Sequence, residues 1–140
     1  MKQDKAAILI KKAALEFDKM SGAVFEKADL TTAQYKVLKY LYEEAENGVR
    51  TVDLENYFSV SHPTAIGILQ NLEKKGLVEY RENPHHARSR LIVPTEKAYS
   101  RQSELESIGS GLEGELTKNL TEEERQQLVS LLRKLLNLTD

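Results

Sequence analysis

The chain has 140 residues, of which 40% are apolar and 30% are charged, as is typical of one globular domain with one hydrophobic core. No segment reaches the roughly 20 consecutive apolar residues of a membrane-spanning helix, and the N-terminal apolar stretch is too short and too interrupted by lysine for a signal peptide. Cysteine is absent, which excludes disulfides, thiolate metal sites and thiol-based redox switches within these residues. We therefore expect a cytoplasmic protein.

The net charge of −2 is spread unevenly along the chain. Residues 1–30 carry six basic and five acidic side chains, residues 31–95 carry eight of each, and residues 96–140 carry six and nine. The middle part is therefore less acidic than the C-terminal part, but it is not basic overall. A negatively charged partner would have to be bound by local placement of cations rather than by a global field.

Residues from about 5 to 27 are predicted to form the first helix, because apolar side chains recur there at spacings of three and four. They form one stripe, and a smaller apolar strip lies on the opposite side. The stripe comprises Ala6, Ile10, Ala13, Phe17, Met20 and Val24, and the strip comprises Ile8 and Leu15. Such a helix packs either into its own core or against a second subunit, and the residues alone leave both possibilities open.

The second predicted helix begins after Thr31, whose side chain can cap it, and Gln34 completes a capping box. This helix runs to about residue 46, and Gly48 ends it. Thr51 is predicted to cap a short third helix. Its inward residues are expected to be Leu54, Tyr57 and Phe58.

Ser61 is predicted to cap a fourth helix, which tolerates Pro63 in its first turn and stops at Gly76. One side of this helix is apolar, and the other side is short or polar. The apolar side comprises Ala65, Ile68, Leu69 and Leu72. Two β-rich runs follow, at residues 77–81 and 90–93, so the loop between them should close a β-hairpin.

Thr95 is predicted to cap a long helix in which three glycines favour a kink or a break. Its apolar stripe is Leu105, Ile108, Leu112 and Leu116, and the glycines are Gly109, Gly111 and Gly114. Thr121 and Glu124 form a capping box for the last helix. Leucines cover nearly half of its circumference, namely Leu128, Leu131, Leu132, Leu135, Leu136 and Leu138.

This order of elements predicts a winged helix-turn-helix, a mainly α fold with a small β-hairpin wing. An α-helix fits the major groove of B-DNA, so we expect double-stranded DNA as a partner. Gln70 can pair with an adenine edge, Ile66 can touch a thymine methyl, and Lys74 and Lys75 are placed for phosphates. The candidate DNA-binding residues are Ser61, His62, Pro63, Thr64, Ile66, Gly67, Gln70, Asn71 and Lys74 on the helix, and His86, Arg88 and Arg90 in the wing, residues 82–90.

Three features of this region have competing interpretations. Gly67 costs the helix about 0.5–1 kcal/mol relative to alanine, which reflects either close approach of the backbone to DNA or a tolerated surface glycine. Arg88 either enters an A·T-rich minor groove or is an ordinary solvated arginine. The histidines could bind a metal or change charge at about pH 6.5, but no acidic cluster lies beside them at ligand spacing, so we expect no metal or cofactor.

Several segments match one known family in order and spacing. They are Leu30-Thr31 with Gln34 and Leu38, Val60-Ser61 with Thr64, the run from Leu72 to Val78, the wing, Thr95-Glu96-Lys97, and the segment from Leu120 to Glu124. Across nearly all of its length the chain thus resembles the MarR family of transcriptional regulators. It departs from the family pattern at the wing, where His86 replaces an aspartate, and at Ile66, Gly67, Pro94 and Ala98.

The resemblance implies a homodimer whose first and last helices, residues 1–29 and 96–140, intertwine, while residues 30–95 form the DNA-binding region of a single domain. It also implies a near-palindromic operator, a repressor role and release of DNA by a small aromatic effector. The candidate effector-binding residues are Phe17, Phe25, Tyr35 and Tyr42, each of which could equally be core packing. The alternative function is a winged-helix protein–protein interaction module without DNA binding, and no catalytic motif indicates an enzyme.

Overall fold

The computed structural model describes residues 4–86 and 88–138, so Ala87 of the predicted wing lies outside the described residues. Within these ranges the chain forms seven α-helices and one two-stranded sheet. The helices are α1 (Ala6–Lys27), α2 (Thr32–Glu44), α3 (Thr51–Phe58), α4 (His62–Lys74), α5 (Glu96–Ser100), α6 (Gln102–Leu116) and α7 (Glu122–Leu135), and the strands are β1 (Val78–Glu82) and β2 (Arg90–Pro94). The predicted fold class is confirmed. None of the described helices is long and apolar enough to span a bilayer.

Most of the predicted helix caps are confirmed. Thr31 and Gln34 form the expected capping box, with both reciprocal hydrogen bonds at 3.1 Å. The side chains of Ser61, Thr95 and Thr121 likewise accept hydrogen bonds from the third residue of the helix that follows each of them. These caps satisfy backbone N–H groups that have no partner inside the helix.

The prediction that Thr51 caps α3 is wrong. Thr51 is the first helical residue, and Arg50 stands at the cap position. The backbone N–H of Arg50 donates to the Asp53 carboxylate at 2.8 Å, so the third helical residue satisfies the N–H of the cap residue, as in one half of a capping box. Tyr57 is not inward either, since its side chain is 52% exposed and contacts the rings of Tyr40 and Phe58.

Of the predicted kink or break at the three glycines, the break is wrong. Helix α6 runs through them without interruption, and the chain breaks earlier, at Arg101 between α5 and α6. A mid-helix glycine costs only about 1 kcal/mol, which packing of the neighbouring leucines can offset. The Arg101 side chain instead donates to the Ala28 carbonyl at 2.8 Å and to Glu104 at 3.0 Å, which fixes this break against the end of α1.

The hairpin is antiparallel, with Val78 opposite Pro94 and Glu82 opposite Arg90. It begins one residue later than predicted because the Leu77 N–H donates back to the Leu72 carbonyl at the end of α4. The Ile92 N–H donates to the Val49 carbonyl at 2.8 Å, so the sheet is fastened to the segment between α2 and α3.

The core lies between α2, α4 and the hairpin and reaches the C-terminal half of α1 and the start of α6. Its fully buried members include Phe25, Leu38, Leu69, Ile92 and Leu105. The N-terminal half of α1 does not join it, and the first part of the predicted stripe is therefore exposed. Exposed apolar side chains also line α7, so two helices at the ends of the chain present apolar surface to solvent in the single subunit.

Candidate nucleic-acid interface

Helix α4 is held by one face and leaves the other free. Leu69 and Leu72 are fully buried, whereas Gln70, Asn71 and Lys74 are exposed. Ile66 and Gly67 are half-buried, and Pro63 and Thr64 in the first turn are exposed. The division of this helix into a packed side and an open side is therefore as the sequence predicts.

The N-terminus of α4 is tied to α3. The Ser61 Oγ accepts the Thr64 N–H at 3.3 Å and donates to the Thr64 hydroxyl oxygen at 3.0 Å, so the Ser61 hydroxyl is engaged in capping. The His62 Nδ1 lies 3.0 Å from a carboxylate oxygen of Glu55 on α3. The His62 side chain is nevertheless 63% exposed.

A groove of about 560 Å³ connects α4 with the wing and with the N-terminal end of α3. It brings together four of the candidate DNA-binding residues, namely His62, Ile66, Arg88 and Arg90. Arg50 and Tyr80 also line it, and sequence reasoning missed both. The Arg90 guanidinium lies 5.6 Å from the centre of the Tyr80 ring, a distance typical of a cation–π contact.

Some of the cationic side chains at this surface are already paired with an acid, and others are not. Arg50 pairs with Asp53 at 3.3 Å. Among the residues that the structure describes, Lys74 and Arg88 form no hydrogen bond or ion pair, and both are exposed. These two side chains are therefore available to an anionic partner without breaking an existing contact.

The prediction of a phosphate contact for Lys75 is wrong. Its ammonium donates to the backbone carbonyl of Asp29 and to the Gln34 side-chain oxygen, the latter at 2.9 Å. This side chain therefore turns away from the open face of α4 and holds the corner between α1 and α2. The sequence gives no sign of this, because the partners are more than 40 residues away along the chain.

The other two histidines face a different space. His85 and His86 line a cavity of about 560 Å³ behind the wing, together with Glu46 and Asp53. His86 therefore lies apart from the groove that holds Arg88. Across residues 4–86 and 88–138, no three histidine or acidic side chains come close enough to hold a metal ion.

The four candidate effector residues divide between core and cavity. Phe25 is fully buried and stacks on Tyr35 with ring centres 4.3 Å apart. Burial raises the pKa of Tyr42 to about 12, and its hydroxyl donates to the Ala98 carbonyl. Phe17 and Tyr35 line a cavity of about 690 Å³ between α2 and the helices α1, α6 and α7.

Replacing Gly67 with alanine should raise the free energy of unfolding by about 0.5–1 kcal/mol, because no atom lies within 4 Å of the added Cβ. In the described part of the subunit, no neighbouring atom requires glycine at this position. If a duplex approaches the backbone closely at this point, the same variant should bind DNA more weakly. Denaturant unfolding and DNA titration of one preparation separate the two effects, and unchanged DNA affinity would identify a tolerated surface glycine.

Comparison with known proteins agrees with this geometry. A family model described as the MarR family matches residues 28–89, from the end of α1 to the wing. The multiple antibiotic resistance protein MarR of Escherichia coli K12 is 33% identical over 120 residues, which are 85% of this chain and 82% of that protein.

Solved structures extend the likeness to the whole fold. A mutant of E. coli MarR complexed with operator DNA is 31% identical, with a TM-score of 0.80 over 93% of this chain and 92% of that one. The S. aureus MepR–DNA complex is 26% identical, with a TM-score of 0.81 over 98% of this chain and 100% of that one. From the sequence match and the shared fold together it follows that the chain belongs to the MarR family of DNA-binding transcriptional regulators.

Proposed function

We propose that the protein is a homodimeric, ligand-responsive repressor that binds a near-palindromic operator through α4 and the wing. The observation that carries the proposal is the open face of α4, which continues into the groove that holds Arg88 and Arg90. The DNA complexes of the E. coli and S. aureus relatives support the same partner. A repressor of this kind acts in the cytoplasm by binding alone, without a catalytic step.

The exposed apolar surface of the terminal helices supports a dimer. Ile8 and Leu15 on α1 are 60% and 55% exposed, and Leu131 and Leu136 on or next to α7 are 64% and 61% exposed. Several large apolar side chains exposed on the same helices are typical of an interaction site in soluble proteins. A two-fold dimer would present two copies of α4 to half-sites about one helical turn apart.

The cavity beside Phe17 and Tyr35 supports the effector. It lies between helices of the proposed dimer platform and α2 of the winged region, and it is lined by aromatic rings together with Lys36 and Lys39. A small aromatic ligand there would favour one relative position of these parts over another. Such a ligand acts on DNA binding only through the difference in its affinity for the two positions.

A salt titration tests the central proposal. The affinity for duplex DNA from its own upstream region should fall steeply between about 50 and 200 mM salt, with a log–log slope of about −0.9 per phosphate neutralised. If no duplex binds even at low salt, the protein is a winged-helix protein–protein module. The observation that favours this second function is the balanced charge of residues 31–95, because a DNA-binding region is usually basic.

Replacing Arg88 with alanine should weaken operator binding and reduce the salt slope, because an unpaired cation is lost from the groove. Fluorescence anisotropy at several salt concentrations measures both quantities. The dimer and the unfolding curve should be unchanged, because Arg88 is exposed and forms no hydrogen bond or ion pair among the described residues. Wild-type binding by this variant would remove the wing from the mechanism.

Replacing Gln70 with alanine should change which base pairs are preferred more than it changes the affinity for random DNA. The reason is that a glutamine in the major groove reads base edges, whereas lysine and arginine contact phosphates in any sequence. Selection from a pool of randomised duplexes, by wild type and variant, measures the preference. Equal losses on all sequences would show that Gln70 does not read bases.

A further inference from the structure

The side-chain amide of Asn83 joins the two ends of the wing loop. Its Oδ1 accepts the backbone N–H of His85 at 3.0 Å, and its Nδ2 donates to the Ser89 Oγ at 3.1 Å. The two hydrogen bonds engage both ends of the amide, so its orientation is fixed. The second one spans six residues and closes the loop immediately before β2 begins at Arg90.

Backbone hydrogen bonds also hold the described part of the loop. The His86 N–H donates to the Asn83 carbonyl at 3.1 Å, and the Ser89 N–H donates to the His86 carbonyl at 3.2 Å. In the described part of the loop the side chains of residues 84–86 and of Arg88 form no hydrogen bond and are exposed, whereas Asn83 and Ser89 are half-buried. The Asn83–Ser89 bond is therefore the side-chain contact that closes the loop around Arg88.

Asn83 and Ser89 line different sides of the wing. Ser89 lines the groove together with Arg88 and Arg90, and Asn83 lines the cavity behind the wing. The hydrogen bond thus crosses the loop from back to front. Asn83 itself is not part of the groove lining, so its effect on a duplex in the groove would be exerted through the loop.

We propose that Asn83 is a positioning residue for DNA binding, which acts through Ser89 to hold the wing loop so that Arg88 is presented to the duplex. This inference rests on the proposed function of the wing. A loop that is already ordered loses less conformational freedom when a side chain is immobilised on DNA. Without the hydrogen bond, binding would have to order the loop as well as form the contact.

A double-mutant cycle on the full-length protein tests the proposal. The variants are N83A, R88A and the double variant, and the probe is the duplex that the wild type selects from a randomised pool. N83A should weaken binding by about three- to tenfold, as expected for one or two lost hydrogen bonds. Its salt slope should match the wild type, because no phosphate contact is removed, whereas R88A should lose about 0.9 for each phosphate contact.

The decisive measurement is the DNA affinity of the double variant N83A/R88A. In the R88A background, N83A should cause no further loss, because its effect passes through the arginine. S89A should behave as N83A does, and S89T, which retains the hydroxyl, should keep near wild-type affinity. The melting temperatures of N83A and S89A should fall by a few degrees at most, as one or two lost hydrogen bonds require, and that of R88A should match the wild type.

Three outcomes overturn the inference. They are wild-type affinity in N83A, losses for N83A and R88A that add fully, and equal weakening by S89A and S89T. If R88A is weak while N83A binds normally, only the role of Asn83 falls. If R88A also binds normally, the proposed function of the wing falls with it.

Discussion

Replacing Gly109 with alanine is expected to lower the free energy of unfolding by about 1–3 kcal/mol, although it adds a single methyl group to a helix. A Cβ at this position would lie 2.0 Å from the Tyr35 hydroxyl oxygen and 3.1 Å from the ring carbon that carries it. The ring has little room to move, because Tyr35 is 7% exposed and is stacked on Phe25. To make room for the added methyl group, either the Tyr35 ring must shift or α2 and α6 must move apart.

The chain offers a matched control two residues further on. Gly111 lies in the same helix, and no atom lies within 4 Å of an added Cβ. Gly111→Ala should therefore raise the free energy of unfolding by about 0.5–1 kcal/mol, which is the ordinary gain from removing a mid-helix glycine.

A rescue variant identifies the contact responsible. Tyr35→Phe removes the oxygen at 2.0 Å, so the double variant Y35F/G109A should recover most of the loss. Urea unfolding curves of the four proteins measure these differences. If Gly109→Ala and Gly111→Ala stabilise the protein equally, the close approach of Tyr35 to α6 is refuted.

Replacing Leu131 with glutamate is expected to convert the dimer to monomers, although this side chain is 64% exposed in the single subunit. In an isolated subunit such a substitution would be close to neutral. In the proposed dimer it would bury an unpaired carboxylate among leucines, and leaving a charge without a partner in an apolar interface costs several kcal/mol. Operator affinity should fall as well, because the two half-sites would no longer be bound together.

Sedimentation equilibrium measures the outcome directly against the subunit mass of 15.9 kDa. Ser130→Glu is the matched control, because Ser130 is also exposed and lies about 100° around α7 from Leu131, away from the leucines. It should leave the mass at twice the subunit value. A dimeric Leu131→Glu variant would contradict the placement of α7 at the subunit interface.

Sequence reasoning succeeded where the cause was local. The capping of α2 by Thr31 and of α4 by Ser61, together with the packed and open sides of α4, depends on residues within one or two turns of each other. Periodicity and capping chemistry report on that range. Arg88 was expected in the wing loop and lies between β1 and β2, because a hairpin fixes the position of its own loop, whereas its contact with DNA stays a prediction.

It failed where the deciding contact joins distant parts of the chain. Gly109 was predicted to weaken a helix, but its partner Tyr35 is supplied by α2. Lys75 was predicted to face phosphate, but its partners lie at the start of α2 and just before it. Arg50 was missed for a similar reason, since only the folded hairpin brings the wing to the start of α3.

The absence of cysteine separates this chain from one property of a relative. E. coli MarR has been solved in a reduced and an oxidised form. The 140 residues of this chain contain no thiol, so oxidation of cysteine cannot change its DNA affinity. Ligand binding in the cavity beside Phe17 and Tyr35 is the route of regulation that we propose instead.

The corner between α1 and α2 makes the two halves of the subunit mechanically dependent. Lys75, at the end of α4, donates hydrogen bonds to Asp29 and Gln34 in this corner, and Arg101 donates one to the Ala28 carbonyl. A tilt of α1 would therefore move the C-terminal end of α4 through these short hydrogen bonds rather than through a flexible loop. In the proposed dimer we consequently expect rearrangement of the first and last helices and reorientation of α4 to occur as one concerted motion.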